Sequence, residues 1–580
     1  MTLWRSRYLT AVGRTPWLGS RLRRFEIVRC QKLGIAAIVW SALVMGIQGA
    51  RLGRWIVDDA GISFAYARSF AEGRGPVVQA GASPVEGYSD PTWVGLLAIG
   101  RLLGLFDHGA WFGFPDYVLF PKALAFVCVV GILICFYAAC LAVLTSRRVA
   151  AAVTACAGTT LAFVPAFVIW SFSGLENSFY ALLVTSLAVL LVRTAMCGPG
   201  SDRLLARRTA AIAGLLVALA VLTRPDGLIY LAVYPGVVLL LVDRHRIREV
   251  VRPCAFFALA ALGPTGVYEV WRRLEFGRWV ANTAVAKAQA SPVPSDLNRV
   301  SEVLQYPGLV ISLLAIGVLA TAAAVVPEMS RPLVALLVPL ALALVGYCVL
   351  NADWMGQLRF STPVWPLAVL ATALCTARLV VLPGLRRRIG LVGSLAGALY
   401  LAYGVTSPML PNSAANPTAP LCIVANEDGQ LFNEFADIAG VQQGSLLLPD
   451  LGGTALTSRL HLRDTAGLST RRSRIICTSR TWPGCGTTYS TSCSRRSSRR
   501  TASGRRRSWP GPASIRACSV TTSRSGRRPR LTPGAAATGC AGRRSRTRRS
   551  SRSCGTTLVR PCRLRPASRP ARRSATAATG

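Results

Sequence analysis

"LGIAAIVWSALVMGIQGARLGRWIVDD", residues 33–59, joins an apolar run to two adjacent aspartates. Residues 33–50 carry no charged side chain, and about 20 such residues cross the hydrocarbon core of a bilayer. The run therefore reads as a membrane-spanning helix. Asp58 and Asp59 stand where that helix leaves the membrane, a costly place for two carboxylates. Such a pair points to ion binding or catalysis; the plain alternative is a polar helix end facing water.

Similar runs recur through the first 405 residues: Leu33–Ala50, Leu119–Thr145, Val149–Trp170, Phe179–Met196, Thr209–Leu222, Leu228–Val242, Pro253–Val270, Tyr306–Val326, Leu333–Leu350, Thr362–Leu382 and Ile389–Val405. The 580 residues are 52% hydrophobic and only 16% charged, against about 25% charged in soluble domains. These features predict an all-α polytopic membrane protein with about eleven transmembrane helices. The expected organisation is a basic cytoplasmic N-terminus (1–32), a transmembrane domain (33–406) and the start of a soluble domain outside the cytoplasm (407–470), with a basic tail (471–580).

Of the net charge of +41, 28 basic residues unopposed by any acid lie beyond residue 470, and +13 belong to the first 470 residues. In that first part the arginines gather before the first span and at 147–148, 203–208, 244–252 and 386–388. These are alternate loops, so the positive-inside rule puts them in the cytoplasm of a plasma-membrane protein and places the C-terminal segment outside. The first 32 residues are too basic and irregular for a cleaved signal peptide, and the first span is expected to remain as an anchor. Cysteines within spans act as small apolar fillers. No CxxC or His/Cys spacing suits zinc, and three histidines leave little room for His-based catalysis.

Residues 471–580 are dominated by Arg, Ser, Thr, Gly, Pro and Ala, with seven cysteines and no Lys, Asp or Glu. One reading is a disordered basic tail for nucleic acid or anionic lipid. The other is a slipped reading frame: "ICTSRTWPGCGTTYSTS" (476–492) can be encoded so that a shifted frame has helical apolar spacing and balanced charge. The composition fits the slipped frame better, so no nucleic-acid partner is expected and the outer domain is expected to be truncated or frameshifted.

On this topology the polar clusters fall on one side. The first outer loop (51–117) holds Asp58, Asp59, "SPVEGYSDPTW" (83–93) with Glu86, and the amphipathic "WVGLLAIGRLLGLF" (93–106), suited to lie in the interface plane. The others are "SGLENS" (173–178), "LTRPDG" (222–227), "YEVWRRLEFGRWVANTAVAK" (268–287) and "NADWMGQLRF" (351–360). Singly each has a structural reading: Pro225–Asp226–Gly227 is a turn signal, and Arg272, Arg273 and Arg278 suit interface anchors. Together they would surround one site with acids (Asp58, Asp59, Glu86, Asp226, Asp353) and cations (Arg224, Arg278, Lys287, Arg359). Arg and Lys suit a phosphate, and paired carboxylates suit a base or a divalent metal.

The order "DD…GYSDPTW…SGLEN…TRPDG…ANTAVAK…ADWM…RFSTPVWPL" resembles integral-membrane glycosyltransferases of the GT-C fold, and more narrowly actinobacterial arabinofuranosyltransferases. "LPDLGGTALTSRLHLRDTAGL" (448–468) is similar to the start of their soluble C-terminal domain. The resemblance covers residues 33–468 and departs from the pattern at Asn351–Ala352, where relatives commonly have Gly-Gly, and at Ala281, where they commonly have Pro. It implies a polyprenyl-phosphate sugar donor, a cell-envelope glycan acceptor and an inverting reaction. It further implies Asp58 or Asp59 as the base, with Glu86, Glu176, Arg224, Asp226, Asn282, Lys287, Asp353 and Arg359 lining the substrates. No cofactor is required by it, and a divalent metal on Asp58 and Asp59 is left open because the family includes both kinds. The rival reading is a transporter, which should place charges at mid-span and show paired broken helices; a third is a frameshifted product without activity.

Overall fold

The computed structural model describes residues 16–196, 202–287, 293–351 and 353–469, with backbone alone for 16–31 and Lys287. The chain divides into two units, Met1–Arg474 with Pro561–Gly580, and Ile475–Arg560; every described residue belongs to the first. The tail expected at 471–580 lies outside the described residues, as do Ala352 and the Lys287 side chain.

The described residues are mostly helical. In order come α1 (Pro16–Ala50), α2 (Asp58–Ala71), α3 (Pro91–Leu102), a hairpin of β1 (Ala110–Trp111) and β2 (Phe114–Pro115), α4 (Asp116–Val143), α5 (Arg147–Ala162), α6 (Pro165–Ser171), α7 (Asn177–Met196) and α8 (Arg207–Thr223). A 3-10 turn (Pro225–Ala232) leads into α9 (Val233–Leu241), α10 (Ile247–Phe276), α11 (Asn282–Lys287), α12 (Val300–Gln305), α13 (Leu309–Val325), α14 (Ser330–Val349), α15 (Val364–Val381) and α16 (Leu385–Thr406). Beyond these lie α17 (Met409–Ala415), α18 (Leu421–Val424), α19 (Leu431–Ile438), β3 (Ser445–Leu448), α20 (Gly452–Thr457) and β4 (His461–Asp464).

Among the described residues seven helices are long and apolar enough to cross a membrane, or nine if two bent pairs each count as one span. The count of about eleven is therefore not reached, for identifiable reasons. The run at 149–170 bends by 77° between α5 and α6, where Pro165 forces the preceding residue out of helical geometry. The run at 306–326 belongs to a pair bent by 102°, broken at Pro307 and at Gly308 with φ 102°. Arg207–Thr223 and Pro225–Leu241 have only 17 residues each, fewer than the roughly 20 of a typical spanning α-helix, and the first half of the latter is a 3-10 turn.

The helices pack as a bundle in which α1 lies on α5, α4 on α7, α8 on α10, and α7 on both α8 and α14. Small residues permit the closest approaches, as expected where lipid removes the usual hydrophobic drive between helices: a Cβ on Gly214 of α8 would lie 2.4 Å from the Phe257 carbonyl of α10. After α16 the chain folds back as a small β3–α20–β4 unit with parallel strands, Ser445 opposite His461 and Leu448 opposite Asp464. Its alternating burial sends Leu446, Leu448 and Leu462 inward.

Candidate functional site

The backbone entering α2 pairs with the chain leaving the bundle. Asp58 N donates to Ala419 O at 2.8 Å, Leu421 N to Ile56 O at 2.9 Å, and the Trp55 indole to Thr418 O at 3.0 Å. Asp58 and Asp59 thus open a helix, a favoured place for acids because the first-turn N–H groups are unpaired. Successive residues on a helix differ by about 100°, and the two carboxylates take different partners.

Asp58 is buried, and each of its oxygens accepts a backbone N–H, from Gly452 at 3.0 Å and Gly453 at 2.7 Å. A Cβ on Gly452 would lie 1.8 Å from the Asp58 carbonyl, and one on Gly453 would lie 2.4 Å from the Leu421 carbonyl. Only glycines let α20 come this close. Burial pushes the Asp58 carboxyl up to about 7, against the two N–H bonds, with the negative charges of Asp59 and Asp450 adding to the rise. Asp450 is itself raised by burial and by Asp59.

The Asp59 side chain is 29% exposed and faces Arg359. The Arg359 Nη1 lies 3.5 Å from Asp59 Oδ2 and 3.5 Å from Asp353 Oδ2, longer than the 2.7–2.9 Å of a tight charge-assisted bond. Its buried Nε has no hydrogen-bond partner among the described residues, and the guanidinium lies against the rings of Trp170 and Phe360. The loop presenting Arg359 is unusual: Gly356, Gln357 and Leu358 have φ of 73°, 48° and 49°, a left-handed run costly for the two non-glycine residues. It is pinned by Trp170 Nε1 donating to Gln357 O at 3.0 Å and Tyr306 OH donating to Gln357 Oε1 at 2.6 Å.

A second cluster joins two loops. Arg224 binds Glu176 at 3.1 Å, Asp226 at 3.0 Å and Asn177 Oδ1 at 3.3 Å. Tyr180 OH donates to Asp226 at 3.2 Å, and the Arg224 guanidinium sits 4.7 Å from the Phe360 ring centre. The turn reading of Pro225–Asp226–Gly227 also holds, since Gly227 N donates to Arg224 O at 2.8 Å. Phe360 stands between Arg224 and Arg359, so these two clusters adjoin.

Glu86 and Asn282 belong elsewhere. Glu86 is buried and accepts from Arg272 Nε and Tyr268 OH, both at 2.7 Å; burial raises its carboxyl despite the Arg272 charge. Arg272 is therefore an ion-pair partner, where the sequence suited an interface anchor. Asn282 Nδ2 donates to Gly467 O and Leu468 O, both at 2.7 Å, and accepts from Arg278 at 3.0 Å, so it holds the end of the β3–α20–β4 unit. An open depression of about 280 Å³ lies between Glu86, Phe276, Arg278 and Asn282. It does not include Asp59 or Arg359.

Sequence reasoning missed Asp90, Asp450, and the pins Trp170 and Tyr306. Asp90 is buried, accepts from Ser63 Oγ at 2.8 Å, and is raised to about 7 by burial first and then by the Glu176 charge. Both aspartates lay within quoted motifs, but nothing local marks their burial. Among the described residues no three His, Cys, Asp or Glu side chains gather as a metal cage. Each Asp58 oxygen already accepts one backbone N–H, so a divalent cation there would meet only the remaining lone pairs of Asp58 and the Asp59 carboxylate.

No family model and no curated protein matches the chain. Similar solved structures include the oligosaccharyltransferase AglB from Archaeoglobus fulgidus, in complex with an inhibitory peptide and a dolichol-phosphate, with a TM-score of 0.46, 12% identity and coverage of 73% of this chain. This chain spans 64% of the length of AglB. ArnT from Cupriavidus metallidurans, bound to undecaprenyl phosphate, is similar with a TM-score of 0.47 and 13% identity, over 75% of this chain and 86% of ArnT.

Proposed function

We propose that the chain is a multi-pass membrane glycosyltransferase of the GT-C kind. It transfers a sugar of the arabinofuranose class from a polyprenyl-phosphate donor to a cell-envelope glycan on the outer face. The observation that carries this reading is the pairing of a part-exposed Asp59 with a buried Arg359 whose ion pairs are stretched to 3.5 Å and whose Nε is uncommitted. A guanidinium in that state suits a phosphate, which takes its fork at two points.

Asp59 accepts the proton of an acceptor hydroxyl. The hydroxyl oxygen bonds to the anomeric carbon from the face opposite the phosphate. The bond from that carbon to the phosphate oxygen breaks, the lipid phosphate leaves with the electron pair, and configuration inverts. Arg359, whose Nη1 faces Asp353 as well as Asp59, stabilises the charge gained by the departing phosphate, and Lys287 is the second cation assigned to it. Asp59 is preferred to Asp58 as the base because it is part-exposed, whereas Asp58 is buried against α20 with its oxygens holding Gly452 and Gly453. A transporter would need charges at mid-span, whereas these groups sit in loops and at a helix start.

The test uses membranes containing the chain and a radiolabelled polyprenyl-phosphate pentose. Asp59→Asn should lower transfer by about 10²–10⁴-fold, the usual worth of a positioned base, with donor binding nearly unchanged. Arg359→Gln should mainly weaken donor binding. Undiminished transfer by Asp59→Asn would refute the assignment.

A further inference from the structure

The hairpin at residues 110–115 carries a backbone strain that no contact among the described residues offsets. Trp111 pairs with Phe114, and the two residues between them, Phe112 and Gly113, have φ of 50° and 77°. Two positive values define a tight turn that ordinarily takes Asn-Gly or Asp-Gly, and a bulky side chain at its first position is an outlier. Phe112 is also 95% exposed. A strained backbone carrying an aromatic ring away from its own protein implies a contact outside the chain.

The hairpin is rigidly mounted. Asp116, the first residue of α4, accepts the N–H groups of His108 at 2.6 Å and Gly109 at 2.7 Å. Asp107 is held by Arg68 at 2.5 Å and Arg101 at 2.7 Å, which ties the hairpin base to α2 and to the end of α3. Arg54 donates to Gly113 O at 3.1 Å and lies 4.9 Å from the Phe114 ring centre. Ile99, Leu102 and Leu103 at the end of α3, which Arg101 ties to the hairpin base through Asp107, are exposed apolar residues, as are Trp111, Phe112 and Phe114.

We infer that this surface, formed by the end of α3 and the hairpin tip, seats in the headgroup layer of the bilayer. The occupant is set by continuity with a membrane span: one peptide bond joins β2 to α4, a 28-residue apolar helix. That helix is about 42 Å long, close to the 40–45 Å of a bilayer with its headgroups, so its first residue and the hairpin lie at headgroup height. Tryptophan and other aromatic rings favour that layer, and Arg54 beside Phe114 suits lipid phosphate.

The full chain in phospholipid nanodiscs tests this, with an environment-sensitive fluorescent amino acid at position 112 and, separately, at exposed position 83 of the same loop. Emission at 112 should shift to the blue and be quenched several-fold more by a quencher near the lipid headgroup than by one at the acyl-chain end, while position 83 responds to neither. Water-like, unquenched emission at 112 overturns the inference. A blue shift indifferent to lipid quenchers but dependent on the number of chains per disc also overturns it, and assigns the surface to a second copy. Phe112→Asn, which suits the left-handed backbone, should melt no lower than the parent in detergent. A lower melting temperature would mean that Phe112 serves the fold and would refute the membrane role.

Discussion

Replacing Gly452 by alanine tests the contact on which the division of labour between Asp58 and Asp59 depends. The new Cβ would lie 1.8 Å from the Asp58 carbonyl oxygen, against 3.4 Å for ordinary contact. The obstacle is backbone and cannot rotate away, so α20 must retreat by about 1.6 Å. The N–H bonds to Asp58, now 3.0 and 2.7 Å, would then pass beyond hydrogen-bond reach. A hydrogen bond contributes about 1 kcal/mol between neutral groups and about 1.5–3 to a charged one, so losing two costs roughly 2–6 kcal/mol depending on the charge of Asp58. At about 1.4 kcal/mol per factor of ten, amide protection across residues 445–464 should fall roughly 30-fold or more. Hydrogen–deuterium exchange in nanodiscs measures this, with Gly393→Ala as control, since a Cβ there meets nothing within 4 Å. Unchanged protection in Gly452→Ala would show that α20 does not rest on Asp58.

Docking of the β3–α20–β4 unit should also depend on pH. The Asp58 carboxyl is raised from 3.8 to about 7 in the folded state, and Asp450 and Asp428 are raised too. The folded form therefore holds a proton on Asp58 that the unfolded form has released, and the associated stability is full below about pH 4 and lost as pH rises through 7, at up to about 1.4 kcal/mol per pH unit, with Asp450 and Asp428 acting in the same direction. The unit should melt higher at pH 5 than at pH 8, and a flat profile would contradict this. Tyr306→Phe removes one pin from the strained loop that presents Arg359, so affinity for the lipid-phosphate donor should fall roughly 2–10-fold; unaltered affinity would separate the loop from donor binding. We also propose that the reading frame slips near codon 470; resequencing the gene should reveal an insertion or deletion there, and an intact frame would refute the slip.

The bundle was legible because hydrocarbon imposes its own length on a sequence: each of the expected runs lies on helix, and the differences arise at Pro165 and Pro307–Gly308, residues visible in the sequence whose bend angles are set by packing. The site was legible in residue type and poorly legible in partnership. Asp58 and Asp59 are chemically identical neighbours, and only the helical step between them decides that one meets glycines 394 residues away while the other meets Arg359. The signal for that difference was present in Gly452–Gly453, two residues that a six-residue helix tolerates badly and that make sense only if another backbone comes close. Arg272 was misplaced for the complementary reason: a cation near a helix end reads equally as an anchor, and Glu86, its partner, is 186 residues distant. What the paired aspartates share is therefore mechanical. The first fastens the chain leaving the bundle onto the start of α2, and in doing so fixes the backbone that carries the second toward Arg359.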